Sequence, residues 1–347
     1  MKALLMEEVG RPMTVQNVAD PTLSPDGVII KVEASGVCRS DWHFWKGDME
    51  MRAPLPHVLG HEFTGIVEEV GSHVTQFKRG DRVVVPPIQA DNTCPYCLNG
   101  HQNLCDNKYT LGVRQWGGFA EFALIPKAEG NLVKLPESID FVSAASLGCR
   151  FVTSYYGMID QIKVQAGEWV VVHGCGGIGL SAIQIANAIG ANVIAVDIAD
   201  DKLELARSLG AVYTINGMKE NAVEAVKEIT KDGANVSVDA LGITATCQNA
   251  ILSLGKRGRH LQIGVTTKEE KGFIPVPIDE IVTKELQIIG SVTMPISRYT
   301  PMLHLIDTLN IQPSKLVTER ISLDQAGDVF EAMSSFSNIG ISVVDRF

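Results

Sequence analysis

Residues 169–197 constrain the fold of this chain more than any other stretch. The β-branched run Trp169–His173 has the character of a buried strand and passes directly into the glycine-rich segment Gly174–Gly179. Helix-forming residues follow as far as Gly190, a natural C-terminal cap, and a second apolar strand ends at Asp197. Strand, Gly-x-Gly-x-x-Gly, helix, strand and acid together form the fingerprint of a dinucleotide-binding βαβ unit.

Each part of this fingerprint has a physical reason. Gly174 permits a tight turn, Gly176 lets a pyrophosphate approach the backbone, and Gly179 lets the helix sit close to the strand. Asp197 can accept hydrogen bonds from both ribose hydroxyls and repels a 2′-phosphate, which favours NAD over NADP. A tight turn without a ligand is the alternative, and the surrounding strands and helix argue against it. The predicted cofactor contacts in the turn are Gly174, Gly176, Gly177, Ile178 and Gly179.

Strand and helix patterns keep alternating after this unit, which predicts a doubly wound sheet of six parallel strands. The further strands are predicted at residues 211–215, 235–239, 259–264 and 286–292, and the helices at 200–208, 219–230 and 244–254. Upstream, one helix is predicted over residues 140–162.

The beginning of the chain has a different character. Short β-rich runs within residues 1–35 and 64–85, bounded by Pro and Gly, predict a small barrel or curled antiparallel sheet. Two helices (302–309 and 323–335) and a strand (341–345) near the C-terminus are expected to return to this β-rich part. The fold class is therefore α/β with an added β-rich domain.

Composition narrows the function class. A chain of 347 residues exceeds the size at which one core keeps growing, so two domains are expected. A net charge of −10 argues against nucleic acid or an anionic membrane as partner. The N-terminus is not a secretion signal, and no apolar run approaches a membrane span. Seven cysteines, an odd number, indicate metal thiolates in a reducing compartment, so the cytoplasm is expected.

Residues 36–62 combine side chains that suit a metal ion. Cys38 supplies a thiolate and His61 an imidazole, and both are donor types that Zn²⁺ prefers. Asp41 and Glu62 are carboxylates of the kind that orient a ligand histidine or tune a metal from behind. Two protein ligands do not complete a site, so a third must come from elsewhere in the chain.

The same stretch offers a path for a proton. Ser40 and His43 lie two and five residues beyond Cys38, and both can take up and release a proton. A lone histidine is more often an ordinary polar surface residue, so only its spacing from Cys38 favours the functional interpretation.

A second cysteine cluster lies in the loop at residues 86–106. Cys94 and Cys97 form a Cys-x-x-Cys pair, and Cys105 follows eight residues later. This spacing directs both sulfurs at one ion and is typical of structural zinc. Asp91 is the expected fourth donor. A redox pair or a loop without metal is the alternative interpretation.

These motifs together resemble the zinc-containing alcohol dehydrogenases of the medium-chain dehydrogenase/reductase superfamily. The segment Gly60-His61-Glu62-Phe63-Thr64-Gly65 matches the family signature, and the other motifs follow in the family's order over nearly the whole chain. The resemblance implies a GroES-like β-barrel-type catalytic domain and an NAD-binding Rossmann domain. Their expected ranges are 1–148 with 293–347 for the catalytic domain and 149–292 for the Rossmann domain.

The resemblance also implies the missing ligand. The family's third catalytic-zinc donor is a cysteine shortly before the dinucleotide strand, and Cys149 occupies that place. From composition alone Cys149 would more often be a small buried apolar residue. Asp41 is then expected to orient His61, with Glu62 behind the metal. Ser40 takes the alcohol proton, which reaches His43 through the cofactor ribose in the family, while a hydride passes to NAD.

Further contacts with NAD are implied by position in the family. They are Lys202, Gly264, Val265, Ser291 and Val292, for which solvent exposure or simple packing is the alternative. The sequence departs from the family pattern at two places. Asp91 replaces the first of the family's four structural-zinc cysteines, and Gly340 is followed by Ile341 where many relatives have an arginine. We assign no phosphate contact to the nearby Arg346.

Four aromatic residues are expected to form an apolar pocket at the metal if they face it, and to belong to the core otherwise: Trp42, Phe44, Trp45 and Trp116. Such a pocket favours a hydrophobic primary or secondary alcohol.

The leading prediction is reversible oxidation of an alcohol to an aldehyde or ketone by a homo-oligomer, dimer or tetramer. A polyol- or threonine-type zinc dehydrogenase is one alternative, and a non-catalytic NAD-binding sensor or structural protein is another. Membership of the zinc-free quinone reductase branch is disfavoured, because that branch lacks this Cys/His set.

Overall fold

The computed structural model describes residues 1–49, 53–335 and 338–347. Its strands are β1 (Lys2–Leu5), β2 (Thr14–Asn17), β3 (Val28–Gly36), β4 (Glu62–Val70), β5 (Arg82–Val84), β6 (Ile88–Gln89), β7 (Tyr109–Thr110), β8 (Phe122–Ile125), β9 (Val133–Lys134), β10 (Trp169–His173), β11 (Asn192–Asp197), β12 (Ala211–Asn216), β13 (Ala234–Asp239), β14 (Leu254–Gln262), β15 (Gln287–Gly290), β16 (Val317–Ser322) and β17 (Ile341–Arg346). Its α-helices are α1 (Arg39–Lys46), α2 (Pro95–Leu98), α3 (Phe141–Ser146), α4 (Cys149–Tyr155), α5 (Gly177–Ile189), α6 (Asp200–Ser208), α7 (Ala222–Thr230), α8 (Thr244–Leu252), α9 (Ile278–Thr283), α10 (Tyr299–Thr308) and α11 (Ala326–Met333).

The chain divides into two compact units. The first unit contains Met1–Cys149, Thr293–His304 and Gln312–Phe347, and the second contains Arg150–Val292 and Leu305–Ile311. These units differ from the predicted domains at two places, because Cys149 falls in the first unit and Leu305–Ile311 in the second. Helix α10 thus contributes to both units.

A curled β-sheet organises the first unit. Its seven strands run in the order β16-β17-β3-β4-β5-β9, and β8 also pairs with β3. Every pairing in this sheet is antiparallel except that of β16 with β17. Alternate residues of β3 point into the core, where Val28, Ile30 and Val32 pack in one cluster with Phe63 and Val67 of β4. The C-terminal strand β17 returns to this sheet, as predicted.

A parallel sheet forms the centre of the second unit. Its six strands run in the order β12-β11-β10-β13-β14-β15, and all the pairings are parallel. Valines 170–172 of β10 are fully buried, as expected for a strand covered on both faces. The predicted doubly wound, six-stranded sheet is confirmed. The chain order reverses between β10 and β13, and ligands of such sheets bind at the C-terminal edge of this point.

Two local predictions differ from the structure. The single helix predicted over residues 140–162 is wrong: α3 ends at Ser146, α4 begins at Cys149, and a π-helical turn, Tyr156–Gln161, follows. The interruption lies at Leu147 and Gly148, where the chain passes close to Glu62. Helix α1 was not predicted, although it carries six of the residues singled out above: Ser40, Asp41, Trp42, His43, Phe44 and Trp45.

None of the helices within residues 1–49, 53–335 and 338–347 has the length and apolar character that crossing a membrane requires.

Candidate metal and dinucleotide sites

Four side chains of the first unit converge on one point. They are Cys38, His61, Glu62 and Cys149, and their donor atoms all lie within 4.8 Å of one another. Cys38 precedes α1, His61 and Glu62 stand at the start of β4, and Cys149 begins α4. The structure thus brings together the three predicted ligands. It also brings Glu62, which was expected behind the metal, into the same donor cluster.

Asp41 fixes the histidine of this cluster. The Asp41 Oδ1 atom lies 2.7 Å from His61 Nδ1 and also accepts a hydrogen bond from the Gly60 N–H at 3.2 Å. This contact leaves His61 Nε2 for the cluster. Burial alone lowers the pKa of His61, but the charges of Asp41 and Cys38 outweigh it and raise that pKa well above its ordinary value. Asp41 therefore makes the imidazole more basic, as carboxylates behind metal-binding histidines do.

Gly148 and Tyr299 shape the surroundings of Glu62. A Cβ atom on Gly148 would lie 2.4 Å from Glu62 Cβ, so the break between α3 and α4 makes room for this carboxylate. Tyr299 is fully buried, and its hydroxyl has no hydrogen-bond partner in the part of the chain that the structure describes. Burial and the charges of Cys149 and Glu62 raise its pKa well above the ordinary value. Sequence reasoning missed Tyr299 because it belongs to no motif.

The donor chemistry of the cluster fits a zinc ion. Two thiols and an imidazole are the donor types of catalytic zinc sites, which keep one coordination position for water or substrate. Zn–S bonds of about 2.3 Å in tetrahedral geometry separate two sulfurs by about 3.8 Å, and the donors here lie within 4.8 Å of each other. Cys38 and His61 are buried, so bulk water does not reach the donor cluster from their side.

Helix α1 presents the two residues expected to move a proton. Ser40 and His43 are three positions apart and both half-buried, so they lie on the same side of the helix. The His43 Nδ1 atom lies 3.1 Å from Asp48 Oδ2, which ties the imidazole to the loop after the helix. Asp41, on the same helix, is fully buried and points to His61 instead.

The cysteine loop forms a second donor cluster in the first unit. The donor atoms of Asp91, Cys94, Cys97 and Cys105 lie within 4.8 Å of one another, and the Sγ atoms of Cys94 and Cys97 are 3.6 Å apart. The Asp91 N–H donates to Cys105 Sγ at 3.3 Å. A hydrogen bond from the Cys97 backbone lowers the pKa of Cys94, whereas burial raises that of Cys97 to about 12. A cation would favour the thiolate form of both.

Asp91 already has other partners in this loop. Its Oδ1 atom accepts hydrogen bonds from the backbone N–H groups of Thr93 at 2.8 Å and Cys94 at 3.0 Å. Its Oδ2 atom accepts one from the side-chain amide of Asn107 at 2.7 Å. These contacts hold the pKa of Asp91 well below its usual range and keep it ionised. Each carboxylate oxygen retains lone-pair capacity for a metal.

The four aromatic residues belong to the core. Trp42 and Trp45 are buried in one apolar cluster, and Phe44 and Trp116 pack against it, partly buried. The Trp42 Nε1–H donates to Ser334 Oγ at 3.3 Å, and the Trp45 Nε1–H to the Arg11 carbonyl oxygen at 2.7 Å. Trp42 and Trp45 therefore fit the alternative of a core role, whereas Phe44 and Trp116 keep part of their surface exposed.

The glycine-rich turn of the second unit has the geometry that its sequence predicts. Gly174 adopts a φ of +94°, which favours glycine. A Cβ atom on Gly179 would lie 1.8 Å from the Gly174 carbonyl oxygen, so only glycine allows α5 to begin so close to β10. Gly176, by contrast, faces open space. The first residues of α5, Gly177 and Ile178, leave N–H groups that can bind an anion.

Asp197 ends β11 beside this turn. Its Oδ2 atom accepts a hydrogen bond from the Cys175 N–H at 2.7 Å, and its Oδ1 atom accepts from the N–H groups of Ile198 and Ala199. The carboxylate is therefore held in place and linked to the glycine turn, with lone pairs left for a ligand. Lys202 lies on α6, half-buried, and its charge acts on the buried Cys175.

The other predicted cofactor contacts follow β14 and β15. Gly264 is half-buried, Val265 is exposed, and the Ser291 N–H donates to the Gln262 carbonyl oxygen at 3.1 Å. The buried Ser291 Oγ has no hydrogen-bond partner within the described ranges, and Val292 is exposed. Elsewhere, in the first unit, Arg346 pairs with Asp345 at 3.3 Å.

Comparison with known proteins agrees with this geometry. The sequence profile of the alcohol dehydrogenase GroES-like domain matches residues 24–137, and that of the zinc-binding dehydrogenase domain matches residues 177–308. An alcohol dehydrogenase from Geobacillus stearothermophilus is 35% identical over 96% of both chains. An NAD-dependent alcohol dehydrogenase from Sulfurisphaera tokodaii is 32% identical over 99% of both.

Among solved structures, the alcohol dehydrogenase TADH from Thermus sp. ATN1 aligns over 100% of both chains with a TM-score of 0.93 and 30% identity. Similarity of this extent includes both family domains and confirms the predicted family and fold class. The chain belongs to the zinc-containing alcohol dehydrogenases of the medium-chain dehydrogenase/reductase superfamily.

Proposed function

We propose that this protein catalyses the reversible, NAD-dependent oxidation of an alcohol to an aldehyde or ketone at a zinc site in the first unit. The first unit then carries catalysis and the second binds NAD. The convergence of Cys38, His61 and Cys149, with Asp41 on the far side of the imidazole, carries this proposal.

Each residue of the first unit's site has a proposed task. Cys38, His61 and Cys149 would hold the ion, and Glu62 would stand behind it. Zn²⁺, when bound, supplies the Lewis acidity that lowers the pKa of the substrate hydroxyl. Ser40 then takes the hydroxyl proton, and His43, on the same side of α1, releases it to solvent.

The second unit is proposed to hold NAD, which accepts the hydride when bound. The pyrophosphate would lie on the N–H groups at the start of α5, and Asp197 would bind the adenosine ribose. Lys202 would contact the same ribose, and the nicotinamide half would lie against Gly264, Val265, Ser291 and Val292. This arrangement favours NAD because Asp197 repels a 2′-phosphate.

A panel of substrates tests the reaction class. NADH formation should be measured with primary and secondary alcohols, polyols and threonine, before and after removal of zinc by a chelator. Turnover with simple alcohols that the chelator abolishes supports the proposal, and turnover confined to polyols or threonine supports the first alternative. Bound zinc and NAD without turnover of any of these substrates supports the non-catalytic sensor.

A pair of cysteine variants tests the ligand assignment. We expect Cys38→Ala to lose one zinc per chain and at least about three orders of magnitude of turnover, because the ion activates the substrate hydroxyl. NADH binding, measured by fluorescence, should persist. Cys247→Ala is the matched control, since Cys247 is a buried thiol in an apolar cluster of the second unit. Unchanged turnover of Cys38→Ala would refute the assignment.

We also propose that the protein is a cytoplasmic homo-oligomer, a dimer or a tetramer. All seven cysteines are free thiols, which suits a reducing compartment. Within the described residues, β15 pairs only with β14 and leaves a sheet edge. Exposed apolar side chains occur on β15 itself and on the segment of the chain that precedes it: Phe273, Ile278, Val282 and Ile288. A second copy of the chain is the occupant we propose for this surface, named here the β15 edge.

A further inference from the structure

Asp239 is the last residue of β13, and it is fully buried. Its Oδ1 atom accepts hydrogen bonds from the Leu241 N–H at 3.1 Å and from the Thr246 hydroxyl at 2.9 Å. Its Oδ2 atom accepts from the Gly242 N–H at 3.1 Å and from the Gln262 side-chain amide at 2.8 Å. These four donors are all neutral, so dipoles rather than a cation stabilise the carboxylate.

The same residue also holds the loop that follows β14. The Asp239 carbonyl oxygen accepts hydrogen bonds from the N–H groups of Ile263 at 3.1 Å and Gly264 at 2.9 Å. The Gln262 amide, which donates to Asp239 Oδ2, also donates to the Gly264 carbonyl oxygen at 2.8 Å. Asp239 therefore fixes two loops, residues 240–243 and 263–265, from a single point.

Glycines bring these loops into direct contact. A Cβ atom on Gly264 would lie 2.2 Å from the Gly242 nitrogen, and one on Gly242 would lie 2.3 Å from the Val265 carbonyl oxygen. On the other side, a Cβ atom on Gly174 would lie 2.7 Å from Leu241 Cγ. The loop after β13 thus packs backbone to backbone against the loop after β14. On its other side, the Leu241 side chain packs against the backbone of the dinucleotide turn after β10.

We propose that Asp239 is a positioning residue for the nicotinamide half of the cofactor. It sets the distance between the two loops and so the shape of the surface made by Gly264 and Val265. Val265 is 71% exposed and Leu241 is 45% exposed, so the loops present surface to a ligand while Asp239 stays behind them. The inference rests on the proposed function, because it assumes that these loops contact NAD.

The network requires a carboxylate at this position. An aspartate accepts hydrogen bonds at both oxygens, whereas an asparagine offers one acceptor oxygen and two donors. In Asp239→Asn, the new amide group would face the Gln262 side-chain amide in one orientation and the Leu241 N–H in the other. Donor would then face donor in a buried site, and at least one loop would have to move.

Binding of two ligands separates positioning from general damage. Dissociation constants for NADH and for 5′-AMP should be measured by calorimetry, which needs neither zinc nor turnover. AMP probes only the adenosine half, beside Asp197. For Asp239→Asn we expect the NADH constant to rise at least about tenfold, and the AMP constant to change less than about twofold.

Two further variants keep the inference falsifiable. Ser237→Ala is the matched control: Ser237 Oγ lies 2.9 Å from His260 Nδ1, a buried contact between β13 and β14 that includes no residue of either loop. It should lower the melting temperature and leave the NADH constant unchanged. Gln262→Leu removes the amide that links Asp239 Oδ2 to the Gly264 carbonyl oxygen, together with its contact to His260. It leaves the hydrogen bonds from Leu241, Gly242 and Thr246 to Asp239 in place, so it should weaken NADH binding by a smaller factor than Asp239→Asn.

Unchanged NADH affinity in Asp239→Asn, or equal losses of NADH and AMP, would overturn the assignment of Asp239. If Asp239→Asn does not fold, unchanged NADH affinity in Gln262→Leu overturns it instead. Wild-type protein that binds neither NADH nor NAD would overturn the proposed function itself, so the two failures are distinguishable.

Discussion

Gly176 and Gly179 stand three residues apart in one turn, yet different neighbours constrain them. The space beside Gly179 is filled by the Gly174 carbonyl oxygen, only 1.8 Å from a would-be Cβ. Gly176 has an ordinary φ of −79°, and no protein atom lies within 4 Å of a would-be Cβ. The protein itself therefore requires glycine at position 179, whereas at 176 only a ligand can require it.

This contrast predicts opposite outcomes for two alanine variants. Gly179→Ala should lose about 3 kcal/mol of unfolding free energy, because the backbone must move to admit the methyl group. Gly176→Ala should unfold like the wild type but bind NADH at least about tenfold more weakly, since its methyl group occupies the place of the pyrophosphate. Thermal unfolding and NADH titration measure the two effects.

Gly217→Ala serves as the control, because Gly217 also faces open space but lies outside the turn. NADH binding by Gly176→Ala at wild-type strength would show that the phosphates lie elsewhere.

At the scale of elements, the loop that carries α2 depends on Asp91 in two ways. The carboxylate binds the N–H groups at the start of α2, and it completes a donor set with three cysteines. A capping role alone would predict loss of stability without loss of metal when the side chain is removed. A ligand role predicts that both are lost together.

We expect two zinc ions per wild-type chain, and one in Asp91→Ala, because three thiols and no fourth donor leave the tetrahedral site incomplete. Asp91→Cys should keep two ions, since a thiolate takes the place of the carboxylate. Mass spectrometry measures the number of zinc ions per chain, and the melting temperature measures the loss of stability; together they distinguish a ligand role of Asp91 from a capping role. Two ions retained in Asp91→Ala would show that Asp91 only caps the helix.

The same scale shows where sequence patterns succeed and where they stop. β10, β11 and α5 were predictable because a continuous apolar run, a glycine turn and a capping glycine all agree locally. Helix α1 was not, because its eight residues are too few to show a helical period beside the ligand Cys38. The break before Cys149 depends on the space that Glu62 occupies, and that contact is invisible in a local pattern.

The site residues likewise include some that could be predicted from the sequence and some that could not. Residue type and spacing were enough to predict the cysteine-loop cluster and the ligands Cys38 and His61, because zinc chemistry admits few side chains. Cys149 was assigned only from the resemblance to the family. The direction of Trp42 and Trp45 could not be predicted, since an aromatic residue suits a pocket and a core equally well. Tyr299 and Asp239 carried no motif, and only tertiary contacts reveal their neighbours.

At the scale of the whole molecule, the β15 edge is the surface that we propose for the association of copies of the chain. An open strand edge offers backbone hydrogen bonds, and the apolar side chains around it offer surface to bury. Helix α9, which precedes β15 in the chain, also exposes apolar side chains, because none of its residues is buried within the described chain. A second copy related by a two-fold axis would satisfy both sets of groups.

Ile288→Lys should therefore lower the mass of the oligomer, to monomers from a dimer or to dimers from a tetramer, because a charge on the β15 edge would be desolvated in the contact. Val212→Lys is the matched control: Val212 is an exposed aliphatic residue on β12, the opposite edge of the same sheet. Light scattering after size-exclusion chromatography measures both masses. An oligomer that survives Ile288→Lys and dissociates in Val212→Lys would place the contact on the other edge.

The pairing of β17 with β3 has a consequence for biosynthesis. Val343 and Val344 lie opposite Gly36 and Ser35, so β3 gains this neighbouring strand only after residues 37–340 have been synthesised. The parallel sheet of the second unit, by contrast, is fully translated once β15 has emerged. Because domains tend to fold as they are released, the second unit can fold during translation, whereas the sheet around the metal ligands is completed only when the C-terminal strand emerges.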